Sequence, residues 1–202
     1  MIEVRPATAD EMILAFLRAE IDAPRWQNVH VAALAHLRAN RSRLIDRADL
    51  GDAQQNRERL AGLRDSRGYG QNKYLFFRFP PDATWRLVVV SPTEIKTFKY
   101  INDSSDPRWS RLSAGTRLVG DGIQNLDEAQ NAEVNGNVTS IATRLRQGER
   151  FPALIAAQRS GSAELVLIEG HNRATAYALT GIPKEIEVFI GTSPDMADWP
   201  FY

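Results

Sequence analysis

The chain has no cysteine. That absence removes disulfide frameworks, thiolate zinc sites and cysteine nucleophiles together, so its chemistry must come from oxygen and nitrogen groups. It also has no excess of charge. The 25 Lys and Arg face 25 Asp and Glu, leaving no global field to attract the phosphate backbone of nucleic acid or an anionic membrane. Long apolar runs are missing, and Met1-Ile2-Glu3-Val4-Arg5-Pro6 is not a basic stretch leading into an apolar one. A cytoplasmic protein with no membrane segment is the expectation. Internal repeats and low-complexity tracts are absent as well. What remains is 202 residues with 43% hydrophobic content, enough to bury a core as one domain or one domain with an appendage.

The N-terminal part reads as helical. Thr8 and Glu11 have capping-box spacing, and Ile13, Phe16, Leu17 and Ile21 follow at helical intervals. A second helix is predicted from near Pro24 to Asn40, with Trp26, Val29, Ala33 and Leu37 on one stripe and Arg38, Arg41 and Arg43 towards its end. Asp52 and Gln55 open a third that ends near Gly68. From Lys73 the period changes. Residues Tyr74 to Phe79 and Trp85 to Val90 are aromatic and β-branched runs separated by Pro80-Pro81-Asp82, which predicts a short β hairpin. Ser91-Pro92-Thr93-Glu94 has the pattern of a helix start, and a short helix over Ile95 to Tyr100 is expected. Residues 102 to 125 carry no sustained period and read as a loop, with a boundary near Gly120.

The last third is the most legible. Val138, Ile141, Ala142 and Leu145 share a helical face that Gly148 closes. Ala163 to Ile168 reads as a strand, Arg173 to Thr180 as a helix closed by Gly181, and Glu185 to Ile190 as another strand. Ser193-Pro194-Asp195 starts a final turn that brings Trp199, Phe201 and Tyr202 to dock.

Between that strand and helix stands Glu169-Gly170-His171-Asn172-Arg173. A helix starting here presents the first amides of 171 to 174 outward, a natural anion site. Gly170 lets a phosphate approach the backbone, and Arg173 can add a forked donor set. His171 can donate a further bond, and Asn172 can reach a ribose or base. The plain structural alternative is a tight strand-to-helix turn, with His171 capping and Arg173 paired to a surface carboxylate. His30 and His36 are six residues apart on a predicted helix, which is not a same-face metal pair.

The run Leu167 to Tyr177, preceded by a helix ending at Gly148 and by Phe151-Pro152-Ala153-Leu154-Ile155, resembles the core of the ParB/sulfiredoxin superfamily over about residues 120 to 190. The resemblance implies an α+β fold with a mixed sheet, and nucleotide contacts by Gly170, His171, Asn172, Arg173 and Ala174. It divides the chain into 1–119, a helical region with two strands, and 120–202, a nucleotide-binding domain. Sulfiredoxins need a cysteine where His171 stands, so that activity is excluded. Partition-type ParB proteins bind CTP through a Gly-Glu-Arg-Arg variant and carry a helix-turn-helix domain, for which no room is expected after the last strand. The pattern is closest to the branch of ParB-like nucleases and free-serine kinases, whose site reads acidic-Gly-His-x-Arg. That branch implies Glu169, His171 and an upstream glutamate as catalytic groups, with Glu133 preferred over Glu128.

The expected activity is therefore phosphoryl transfer from ATP, with ADP or CTP as other nucleotides, to a small hydroxylated acceptor, with Mg²⁺ and no protein metal cage. A hydrolase on the same fold is a close variant. A ParB-like nucleotide-binding or DNA-associated regulator without turnover is the rival, although neutral charge disfavours nucleic acid as partner. The arginines at 38, 41, 43, 47, 57, 59, 64 and 67 interleave with acids and read as a solvated helix face. Covering the nucleotide, shaping an acceptor pocket and forming a homo-oligomer contact all stay open for that region.

Overall fold

The computed structural model describes residues 1–23 and 31–202. Five strands form one mixed sheet: β1 (Ile2–Ala7), β2 (Thr84–Val90), β3 (Leu154–Arg159), β4 (Val166–Glu169) and β5 (Ile186–Ser193), in the order β1-β2-β5-β3-β4. Of these strand pairs β5/β3 is parallel and the rest antiparallel. Leu154, Ile155, Ala156 and Ala157 are each 0% exposed. Because successive strand residues point to opposite faces, this means that both faces of β3 are covered. The sheet continues across Gly120, since β1 and β2 precede that residue and the other strands follow it. The α+β class and mixed sheet agree with the sequence reading.

Local side-chain chemistry sets the helix ends. Helix α1 (Ala9–Glu20) begins with the full Thr8/Glu11 capping box, and buries Ile13, Phe16 and Leu17. Helix α2 is described over Ala32–Ala39. Of the second helix predicted from the sequence, Pro24, Trp26, Val29 and His30 lie outside the described residues. In α3 (Ala53–Arg67), Asp52 accepts from the Gln54 and Gln55 amides, and Gly68 ends the helix in the left-handed region. Ser91 and Glu94 close a second capping box on α4 (Pro92–Ile95). Further along lie α5 (Arg108–Leu112), α6 (Val119–Gln124), α7 (Ala132–Arg146) and α8 (His171–Thr180). Helix α8 packs against α4, α6 and α7. The C-terminal aromatics dock as expected: Trp199 is 1% exposed and its indole N–H donates to the Leu75 carbonyl at 2.8 Å.

The predicted hairpin is not there. Residues Tyr74–Phe76 form a 3₁₀ turn, with Tyr74 and Phe77 exposed at 66% and 45%. Asn72, Tyr74 and Arg78 have φ of 55°, 50° and 56°, so the chain turns repeatedly and cannot keep a pleat. Phe76 alone of the run is deeply buried, against Phe16, Tyr69 and Phe79. The antiparallel partner of β2 is instead β1, an edge strand with Ile2 and Val4 exposed and Pro6 in place, where a missing N–H is tolerated. The short helix after Ser91 also stops at Ile95, earlier than expected. Beyond it Lys99 bridges to Val166 and Leu118, extending the sheet beyond β4 by one residue. The 102–125 segment contains two short helices, α5 and α6, anchored by buried Trp109, Leu112 and Val119.

Most of the N-terminal arginines behave as a paired surface: Arg41 meets Asp22 and Asp46, Arg43 meets Glu58, and Arg64 meets Asp65. Arg59 departs from that reading. It is 0% exposed and donates to the Leu44 and Asp49 carbonyls and to Asn56, so it ties α3 to the chain before it. Burial lowers its pKa.

Candidate functional site

Strand β4 ends at Glu169, which is 9% exposed and lies opposite Ile155 of β3. Gly170 then takes φ +98° and turns the chain into α8. No other residue fits. A Cβ there would lie 2.4 Å from Leu154 Cδ2 and 3.1 Å from Arg173 Nη2. No side chain caps the helix start. The Ala174 amide already donates to the Gly170 carbonyl at 2.8 Å, and Ala174 is 0% exposed, so the expected open set of amides does not extend to it. The amides of Asn172 and Arg173 meet no acceptor among the described residues. They carry the positive end of the α8 dipole.

Asn172 adds a second unfilled group. Its side-chain Oδ1 is buried and accepts no hydrogen bond from the described residues. Leaving such an atom unpaired costs about 1–3 kcal/mol, which a donor on a bound molecule would recover.

Arg173 is placed differently from the expectation of a fork aimed at a phosphate. It is 7% exposed, and its Nη1 donates to the carbonyls of Pro152 and, at 3.3 Å, Ala153. Its Nη2 reaches Glu169 Oε1 at 3.3 Å. The guanidinium is thus engaged with protein acceptors directly behind Gly170, holding the segment before β3 against the end of β4. Its charge stays next to the helix start.

His171 belongs to a cluster of three nearly parallel rings. Its imidazole lies 4.8 Å from the Trp109 ring at 21° and 6.1 Å from Tyr100 at 23°, and Trp109 lies 5.0 Å from Tyr100 at 27°. The Ile101 amide donates to His171 Nε2 at 3.4 Å. Thr175 Oγ1 donates to the His171 carbonyl, so the Tyr100 hydroxyl is the donor in its 2.7 Å bond to Thr175. Burial is the main cause that raises the Tyr100 pKa, and burial likewise raises that of Tyr177.

The sequence candidates from α7 are at the periphery. Glu133 is 77% exposed and lies 3.3 Å from Arg108 Nη1. Arg108 also holds Asp106, whose bond raises the arginine pKa, and it precedes Trp109 in the stack. Glu133 is therefore linked to His171 through α5. Glu128 is exposed and accepts from Gln130 at 2.6 Å. His36 lies 2.5 Å from Glu58, a surface pairing in keeping with its structural reading. Among the described residues no three His, Asp or Glu side chains converge to hold a metal. Sequence reasoning missed Trp109, Tyr100 and Thr175, because a ring stack assembled from three segments leaves no periodic trace.

No protein-family model, curated protein or solved structure matches the chain. Among the described residues no helix is long and apolar enough to cross a membrane. The functional reading rests on the chemistry of the α8 start.

Proposed function

We propose that the chain is a nucleotide-dependent phosphotransferase that binds phosphates at the start of α8 and phosphorylates a small hydroxylated molecule. The observation that carries this is the uncapped turn at Gly170. Two amides and the Asn172 oxygen that have no partner among the described residues converge there with the Arg173 charge, next to a histidine packed against Trp109. Amides at Asn172 and Arg173 suit phosphate oxygens, and Asn172 Oδ1 suits an N–H or O–H donor of the same ligand.

In the transfer, the acceptor oxygen bonds to the γ-phosphorus as the bond from that phosphorus to the β–γ bridging oxygen breaks. The acceptor proton passes to a carboxylate, the role the ParB-like resemblance gives Glu133, and the nucleoside diphosphate leaves. Mg²⁺ bound with the nucleotide would neutralise phosphate charge, and since such an ion needs only one or two protein carboxylates, Glu169 at the turn would be the residue to hold it. Arg173 acts here as a positioning residue: it keeps Pro152, Ala153 and Glu169 in place around Gly170.

One observation favours a second reading, a ParB-like nucleotide-binding regulator without turnover. Glu133 is largely exposed and paired with Arg108 of α5, and no contact among the described residues brings it to the Gly170 turn.

The test uses thermal shifts with ATP, ADP and CTP in Mg²⁺, comparing the native chain with Asn172→Asp, which sets a negative charge at the helix start. A nucleotide shift in the native chain that disappears in the variant is expected. Nucleoside diphosphate release with a panel of small alcohols and hydroxy acids then separates the readings. Turnover lost in Glu133→Gln supports the phosphotransferase. Binding without turnover supports the regulator, and no nucleotide shift removes both.

A further inference from the structure

A cavity of about 540 Å³ opens far from Gly170, in the size range of small-molecule sites. The strand register fixes its location. Arg159 of β3 lies beside Ser193 of β5, and Thr84 of β2 lies opposite Thr192, so the 3₁₀ turn Pro194–Asp198 sits at that end of the sheet. Glu169 pairs with Ile155 at the other end of β3. Four residues of strand separate the two ends, roughly 13 Å at a rise of about 3.3 Å per residue. The cavity is therefore distinct from the α8 start.

Its inner wall is aromatic. Phe76 is 1% exposed and meets Tyr69 and Phe79 edge-on, with centroids 4.9 and 5.3 Å away. Phe79 is itself braced by Trp199 at 5.5 Å. The rings are held by the core, so the wall is already formed without a ligand.

Its rim is charged. Asp195 and Asp198 both line the cavity, and in a 3₁₀ turn residues three apart project on the same side. Ser193 caps this turn by accepting from the Asp195 amide at 3.1 Å, which fixes the pair. Neither carboxylate makes a hydrogen bond or ion pair among the described residues, nor does the guanidinium of Arg78 on the same rim. Two unneutralised carboxylates against one arginine give the cavity a net negative field. Tyr69, Phe76 and Phe79 line the same cavity, and aromatic rings beside a bound cation add attraction.

We propose that this cavity binds a small organic cation, an ammonium or guanidinium group on an apolar body. Asp195 and Asp198 hold the charge, Tyr69, Phe76 and Phe79 pack the body, and Arg78 receives any acidic group the ligand carries. A neutral molecule of the same shape gains the packing but not the charge pairing, and an anion is repelled by the aspartates.

The test is titration calorimetry of the full chain with phenethylamine and agmatine, using phenethyl alcohol as the neutral control. Saturable amine binding is expected, at least about tenfold tighter than the alcohol and weakening as salt is raised. The double variant Asp195→Asn/Asp198→Asn, altered only at exposed positions, should keep its melting temperature and lose about tenfold in amine affinity. Arg78→Gln, which removes a like charge, should strengthen amine binding. No saturable binding of either amine, equal affinity for the alcohol, or full affinity in the double variant overturns the proposal. Should the double variant melt early, the salt dependence and the Arg78→Gln result decide the question alone.

Discussion

Gly170 and Leu154 are packed so closely that a methyl group on the glycine would force the leucine to move: its Cβ would stand 2.4 Å from Leu154 Cδ2. The same residue needs a left-handed backbone. Gly170→Ala therefore combines a backbone penalty with overpacking, about 2–4 kcal/mol together. Urea unfolding should register this loss. Adding Leu154→Ala relieves the clash but not the backbone strain, so the double variant should be more stable than the two single losses summed.

Arg173→Ala takes a buried cation away from Glu169 and from the carbonyls of Pro152 and Ala153. Breaking a buried pair in this way costs on the order of 3–5 kcal/mol. Arg173→Lys keeps the charge without the fork and should fall between. Denaturant midpoints of the three proteins check the order. An Arg173→Ala variant as stable as the native chain would mean that the guanidinium does not hold β3 and β4 together at this corner.

Tyr100 donates to Thr175 in a site without water contact. Tyr100→Phe should cost about 1 kcal/mol, since the Thr175 hydroxyl keeps its own bond to the His171 carbonyl. In a double-mutant cycle with Thr175→Val the two losses should be less than additive. Full additivity would contradict the hydrogen bond.

Acid should act through Glu58. The bond to His36, and after it the bond to Arg43, hold this carboxyl down at about 2. A carboxyl lowered on folding stabilises the native state above its unfolded value of about 4.3, and that contribution fades as pH falls towards the folded value. Melting temperature should drop between about pH 4.5 and 2, and the drop should be shallower in Glu58→Gln. A Glu58→Gln profile identical to the native one over that window would count against this pairing.

What could be read from the sequence was what chemistry within four residues decides. The boxes at Thr8/Glu11 and Ser91/Glu94, the Asp52 cap and the left-handed ends at Gly68 and Gly181 all depend on side chains bonding to adjacent backbone or on a glycine closing the last turn. The strand–turn–helix around Gly170 was legible for the same reason. Partners distant in the chain were not. The run from Tyr74 to Phe79 has strand composition, but Phe76 goes to an aromatic cluster instead of a ladder. The strand Ile2–Ala7 exposes its apolar residues, so it lacks the buried alternation that would reveal it. At the site itself, the residue types at 169 to 173 were apparent but not their partners. That Arg173 turns to Pro152 and Ala153 depends on how β3 meets β4, which no spacing near 173 records.

The sheet order also bears on how the chain is made. β2 lies inside the sheet, yet its inner neighbour is β5, and Thr84 bonds to Thr192 over a separation of 108 residues. At a synthesis rate of about 5–20 residues per second, roughly 5–20 s pass on the ribosome between the two strands. During that interval Leu87, Val88 and Val90 belong to a nascent chain with only β1 to pair against. Until its last-made partner emerges, this apolar strand keeps one edge of backbone N–H and C=O groups unpaired, the kind of edge on which another chain can add.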